Sequence, residues 1–122
     1  MIETELIALL LADASVFALV GDRVSLTSMP EGEQRPCVVC QLINGQRTGS
    51  MNSTGLNRRA RMQVSCFANS YLVAKQIAAA CENAIENYED FGVVFNGDQD
   101  LQDSSTKLFY TVLDYSLSKH LG

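Results

Sequence analysis

Residues 58–85 read RRARMQVSCFANSYLVAKQIAAACENAI, and this stretch decides the fold. Its first part alternates. Ala60, Met62, Val64 and Cys66 fall on one side of an extended chain, and Arg59, Arg61, Gln63 and Ser65 on the other. That pattern predicts a strand over 58–67 with one buried and one wetter face. The second part changes period. Val73, Ile77, Ala80, Cys81, Ala84, Ile85 and Tyr88 recur at helical spacing, with Lys75, Gln76, Glu82, Asn83 and Glu86 between them. Asn69 or Ser70 stands where an N-cap is needed. A half-buried strand feeding an amphipathic helix predicts a sheet with that helix across one face.

Working upstream, Ile2, Leu6, Leu9 and Leu10 mark a helix over 2–11. Asp13 can cap a second short helix, or the helix bends there, and Gly21 ends it. Residues 24–28 are a short strand candidate, and 29–36, with both prolines, a loop. CVVCQLI at 37–43 predicts a central strand buried on both faces. Residues 44–57 hold Gly45, Gly49 and Gly55 among Ser, Thr and Asn, without hydrophobic periodicity, and predict a mobile hairpin arm. Downstream, 91–95 is a further strand, 96–103 an acidic turn, and 107–118 a long last strand. Phe109, Leu113, Tyr115 and Leu117 share one side of that strand. The order predicts a single α+β domain over residues 1–122: a mainly antiparallel sheet, a long helix packed on one face, and short N-terminal helices.

Composition narrows the chemistry. The chain has 122 residues, of which 47% are hydrophobic and 19% charged, so it buries a core of its own. Its net charge of −5 argues against a nucleic-acid partner, which needs a basic footprint. The apolar run at 6–12 is far too short to cross a bilayer. Glu3 and Glu5 stand where a secretory leader needs positive charge, so a cytosolic chain is expected. In that setting Cys37, Cys40, Cys66 and Cys81 are expected as reduced, buried thiols.

No catalytic or metal-binding set emerges. Cys37 and Cys40 have the spacing of half a zinc or redox site, but in a strand they point to opposite faces, and no second pair completes four ligands. Asn96, Asp98 and Asp100 begin like a calcium loop, yet Leu101 and Lys107 occupy the positions that require Gly and Glu. Asp103 is expected to satisfy nearby backbone N–H groups. His120 is the only histidine and lies near the end of the sequence, where fraying disfavours catalysis. The arm glycines match no phosphate-binding spacing. Catalytic residues, metal and cofactor are all expected to be none.

One asymmetry remains. Arg47, Arg58, Arg59 and Arg61 gather on the arm and the strand after it, in an acidic chain. Arginine favours interfaces because its planar fork pairs with carboxylates. Glu31, Glu33 and residues 98–103 offer the opposite sign on a second copy, which would make a head-to-tail contact. A rival reading is a small ligand-binding or regulatory module, with a pocket between helix and sheet lined by Tyr88, Tyr110 or Tyr115.

Four stretches, taken in order, carry a resemblance to a known family. They are LLLADASVFALVGDRV at 9–24, MPEGEQRPCVVCQLINGQR at 29–47, RRARMQVSCFANSYLVAKQIAAACENAI at 58–85, and 98–120 with DQDLQD and LFYTVLDYSLSKH. The chain resembles the tail-completion proteins of long-tailed bacteriophages, which include tail terminators and head-to-tail joining proteins. The resemblance implies an α+β fold and a structural role without catalytic residues. It implies a ring, commonly six-fold, on top of the tail tube, which stops tube growth or joins tail to head. The implied partners are further copies of the chain, the tail tube protein and a head-completion or connector protein, with no membrane and no sequence-specific nucleic acid. The implied location is the host cytoplasm during assembly, then the virion tail or neck.

Overall fold

A computed structural model describes residues 2–28, 35–48 and 57–120. Three helices and five strands run in the order α1 (Ile2–Ala12), α2 (Ala14–Val20), β1 (Val24–Leu26), β2 (Cys37–Thr48), β3 (Asn57–Ala68), α3 (Tyr71–Glu86), β4 (Gly92–Gln102) and β5 (Phe109–His120). The strands form one sheet in the order β1-β2-β3-β5-β4. Every pairing is antiparallel except β1 with β2. The helices cover one face, and the predicted α+β class is the observed one.

Local chemistry explains the helices. Asp13 accepts hydrogen bonds from the N–H groups of Ser15 and Val16, both at 3.0 Å, so α1 and α2 are two helices rather than one. Such a cap contributes about 1 kcal/mol. Gly21 closes α2 with φ of 60°, a conformation that suits glycine. Ser70 caps α3 by accepting from the Val73 N–H at 3.2 Å. Ile77, Cys81 and Ile85 of α3 then meet Met62, Val64 and Cys66 of β3, the side chains that the alternation placed inward. Ile2, Leu6, Leu10, Val16 and Val20 complete the core from α1 and α2.

Four expectations need correction. First, 96–103 is not a turn. Residues 96–102 belong to β4 and pair with β5 down to Gln102↔Phe109. A bulge between Phe95 and Gly97 absorbs Asn96, and the turn lies beyond, where Asp103 accepts from the Thr106 N–H at 2.8 Å. Long-range pairing outweighed the local turn composition. Second, the base of the expected arm is strand: 44–48 pair with 57–61, after a bulge between Leu42 and Asn44. Residues 49–56 of that arm lie outside the described residues. Third, His120 is not on a frayed end, because its backbone pairs with Asn57 in the β3–β5 ladder. β2 departs in one further respect: only Cys37, Val38, Val39 and Cys40 are buried, and 41–45 are exposed. Among the described residues no helix is long and apolar enough to cross a membrane.

Candidate assembly interface

The sheet presents a second face that no described helix covers. Partners across a ladder share a face, so the register assigns it: Asn44, Arg61, Ser116 and Val94 lie on one rung, and Gln46, Arg59, Ser118 and Gly92 on another. A shallow groove of about 340 Å³ lies on this face, bordered by Asn44, Arg59, Arg61, Val94, Ser116 and Ser118. Its floor is low because serines stand where large side chains would fill it. Gly92 leaves Ser118 its room, since a Cβ there would come within 2.3 Å of the Ser118 hydroxyl oxygen. A second hollow of about 430 Å³ lies beside it, lined by Glu89, Asp90, Phe91, Gly92 and Lys119, and Arg59 borders both.

The four arginines separate. Arg61 makes a two-pronged bond to Asp114, with Nη2 at 2.6 Å and Nε at 3.1 Å. That bond, with a second from Asn96, holds the Asp114 carboxyl below its ordinary range. Arg58 lies on the other side of the strand, with Ala60 and Met62, and its Nη2 stands 3.5 Å from Glu3 of α1. Gly45 makes room for it: a Cβ there would sit 3.0 Å from the Arg58 Nη2. The same alternation that put Ala60 inward carried this information about Arg58. Arg47 pairs with Arg58 through the backbone ladder, and its side chain lies outside the described residues. Arg59 is exposed and forms no ion pair among the described residues. Among the described arginines of this group it is free to meet an incoming carboxylate.

Two other charged clusters tie elements together. Glu5 of α1 accepts from the Tyr88 hydroxyl at 2.5 Å and from Lys119 of β5. Asp100 of β4 accepts from the Thr111 hydroxyl at 2.8 Å, the Tyr71 hydroxyl at 2.9 Å and Lys75 at 3.3 Å. The acidic series at 96–100 therefore diverges. Asn96 turns to Asp114 and Ser116 on the open face, whereas Asp100 faces α3. Sequence reading missed both clusters and the Arg61–Asp114 bond, which spans 53 positions.

The remaining candidates take structural places. Cys37, Cys40, Cys66 and Cys81 are buried and free of disulfides. Cys37 and Cys40 occupy opposite faces, on the rungs of Phe67 and Val64. Burial pushes the Cys40 thiol up, and a bond to Cys81, reinforced by burial, does the same at Cys66. Protonated thiols of this kind are poor nucleophiles. Tyr115 is buried, Tyr110 stacks on Phe67 with ring centres 4.8 Å apart, and Tyr88 is bonded to Glu5.

Together these features describe a small α+β domain whose conspicuous surface is an open sheet face rather than a catalytic cleft. The model of the family "Tail completion protein gp17" matches residues 4–118, and the chain belongs to that family of phage tail structural proteins. The fold is similar to that of a chain in the "Virion of native gene transfer agent (GTA) particle", with a TM-score of 0.69 and 20% identity. That similarity covers 94% of this chain and 91% of the other. No curated protein sequence matches the chain significantly.

Proposed function

We propose that this protein caps the tail tube of a phage or phage-like particle as a ring, terminating tube growth or joining the tail to the head. The observation that carries this reading is the family match over 4–118, which spans every element from α1 to β5. In this reading the ring is a hexamer, seated between the tail tube protein and a head-completion or connector protein. Assembly takes place in the host cytoplasm, and the finished ring lies in the virion tail or neck.

The basic group Arg47, Arg58, Arg59 and Arg61 enters as part of the interface, with Arg59 exposed and without an ion pair among the described residues. Arg59→Glu is expected to block assembly while the isolated chain melts at the wild-type temperature. Reversal at Arg61 is less informative, because it would bring a second acid against Asp114. Normal tail completion by Arg59→Glu would mark the groove as a solvated face.

The functional test is tail length by electron microscopy, in lysates with the gene deleted and then restored. Overlong, headless tubes identify a terminator. Tails of normal length that fail to join heads identify a joining protein. Normal infectious particles would overturn the reading.

A further inference from the structure

The sheet leaves two strand edges unpaired among the described residues. β4 pairs with β5 alone and exposes its outer edge. β2 exposes its edge beyond Cys40, because β1 reaches only Val38, Val39 and Cys40. Edges of this kind are templates for another strand, and folded proteins ordinarily guard them with charge. That charge is absent from two stretches of these edges: residues 41–46 read QLINGQ and residues 92–97 read GVVFNG. Both stretches carry exposed apolar side chains, Leu42 and Ile43 on one edge and Val94 and Phe95 on the other.

The two edges also stand at the same height. Following the ladders across the sheet, Leu42, Met62, Tyr115 and Phe95 make one rung, and Asn44, Arg61, Ser116 and Val94 the next. Gly45, Ala60, Leu117 and Val93 follow, then Gln46, Arg59, Ser118 and Gly92. The two bulges flank a single rung, that of Met62 and Tyr115. β2 runs parallel to β5 and β4 antiparallel to it. A second copy, rotated about an axis along the strands, therefore brings its β4 antiparallel to the first copy's β2 with no shift along the axis. A contact of that kind closes into a ring, whereas an axial offset gives a filament.

From this juxtaposition we infer that residues 41–46 of one copy pair with residues 92–97 of the next, so that the sheet continues across each subunit boundary. The inference rests on the ring reading above and names the surface that builds the ring. Within one chain, positions 44 and 94 are separated by β3 and β5, about 14 Å at ordinary strand spacing. That is too far for a disulfide. Across the inferred boundary they are direct neighbours.

The test is the double variant Asn44→Cys, Val94→Cys, incorporated into tails and mildly oxidised. The four native thiols are buried, so the new pair reacts selectively. The expected result is a 44–94 disulfide between chains, seen in peptide mass spectra, and a covalent ladder ending at the ring size on non-reducing gels. Incorporated chains without that disulfide overturn the edge pairing and leave the ring reading standing. A second variant covers failure to incorporate. Val94 is 61% exposed, so Val94→Lys is expected to keep the wild-type melting temperature and lose incorporation. Wild-type incorporation of Val94→Lys overturns the pairing. A wild-type chain that never enters tails overturns the ring reading, and this inference with it.

Discussion

Tyr115→Ala is expected to cost about 3–5 kcal/mol, the range for removing a large buried aromatic side chain. Domains of this size are stable by only about 5–15 kcal/mol, so much of the variant should be unfolded or aggregation-prone at 37 °C. Tyr115 is fully buried on β5, between Met62 on β3 and Phe95 on β4, with the Phe95 ring centre 5.2 Å away. The companion variant separates the ring from its hydroxyl. The Tyr115 hydroxyl is buried and has no hydrogen-bond partner among the described residues. Burial, with Glu86 and Glu82 nearby, pushes its pKa up and keeps the proton on. An unsatisfied buried hydroxyl costs about 1–3 kcal/mol. Tyr115→Phe removes that cost at almost constant volume, and a gain of about 1 kcal/mol should raise the melting temperature by about 4 °C. Thermal unfolding of the two variants checks both signs. A fall in the melting temperature of Tyr115→Phe would mean that the hydroxyl is bonded to water.

Acidification should release the N-terminal helix first, and Glu5 is the reason. Its carboxylate joins α1 to Tyr88, just beyond α3, and to Lys119 at the end of β5. The Lys119 bond, then the Tyr88 bond, hold its pKa below the ordinary value. The folded state therefore binds this proton less readily than the unfolded chain does. The stabilisation is fully present above the unfolded pKa, about 4.3, and is lost as pH falls through the lower folded value. Charged hydrogen bonds contribute about 1.5–3 kcal/mol, and partial exposure reduces this to about 1–2 kcal/mol for Glu5→Ala at neutral pH. Glu5→Gln should flatten the stability curve between about pH 5 and 3. Asp100 and Asp114 are depressed in the same direction by Thr111 and Arg61, so some acid sensitivity should remain in that variant. Chemical denaturation at a series of pH values checks this, and an unchanged slope in Glu5→Gln would show that the Glu5 bonds contribute nothing.

The legible parts of this fold were those encoded by neighbours in sequence. Alternation at 58–67 assigned both faces of β3, and a cap at Asn69 or Ser70 followed by a 3.6-residue stripe assigned α3; the structure selects Ser70. The same alternation placed Arg58 on the helix side, yet its charge drew it into a cluster with Arg59 and Arg61. The acidic, polar composition of 96–103 favours a turn locally. Residues 109–114 of β5 supply ladder partners for 97–102, and a one-residue bulge at Asn96 resolves the conflict. The open groove had no sequence signature, since its lining comes from four strands.

The sequence by itself determined the α+β class, the strand-to-helix passage at 58–85 and the inward residues of β3, because each depends on spacings of two to four positions. Its four-stretch resemblance also pointed to the tail-completion family to which the chain belongs. Tertiary structure alone decided that Arg61 meets Asp114, that Arg58 meets Glu3, and that two uncharged edges stand at one height on opposite sides of the sheet. Those outcomes depend on register between strands distant in sequence. Register is set by the whole core at once, because a one-residue slip would turn every buried side chain outward.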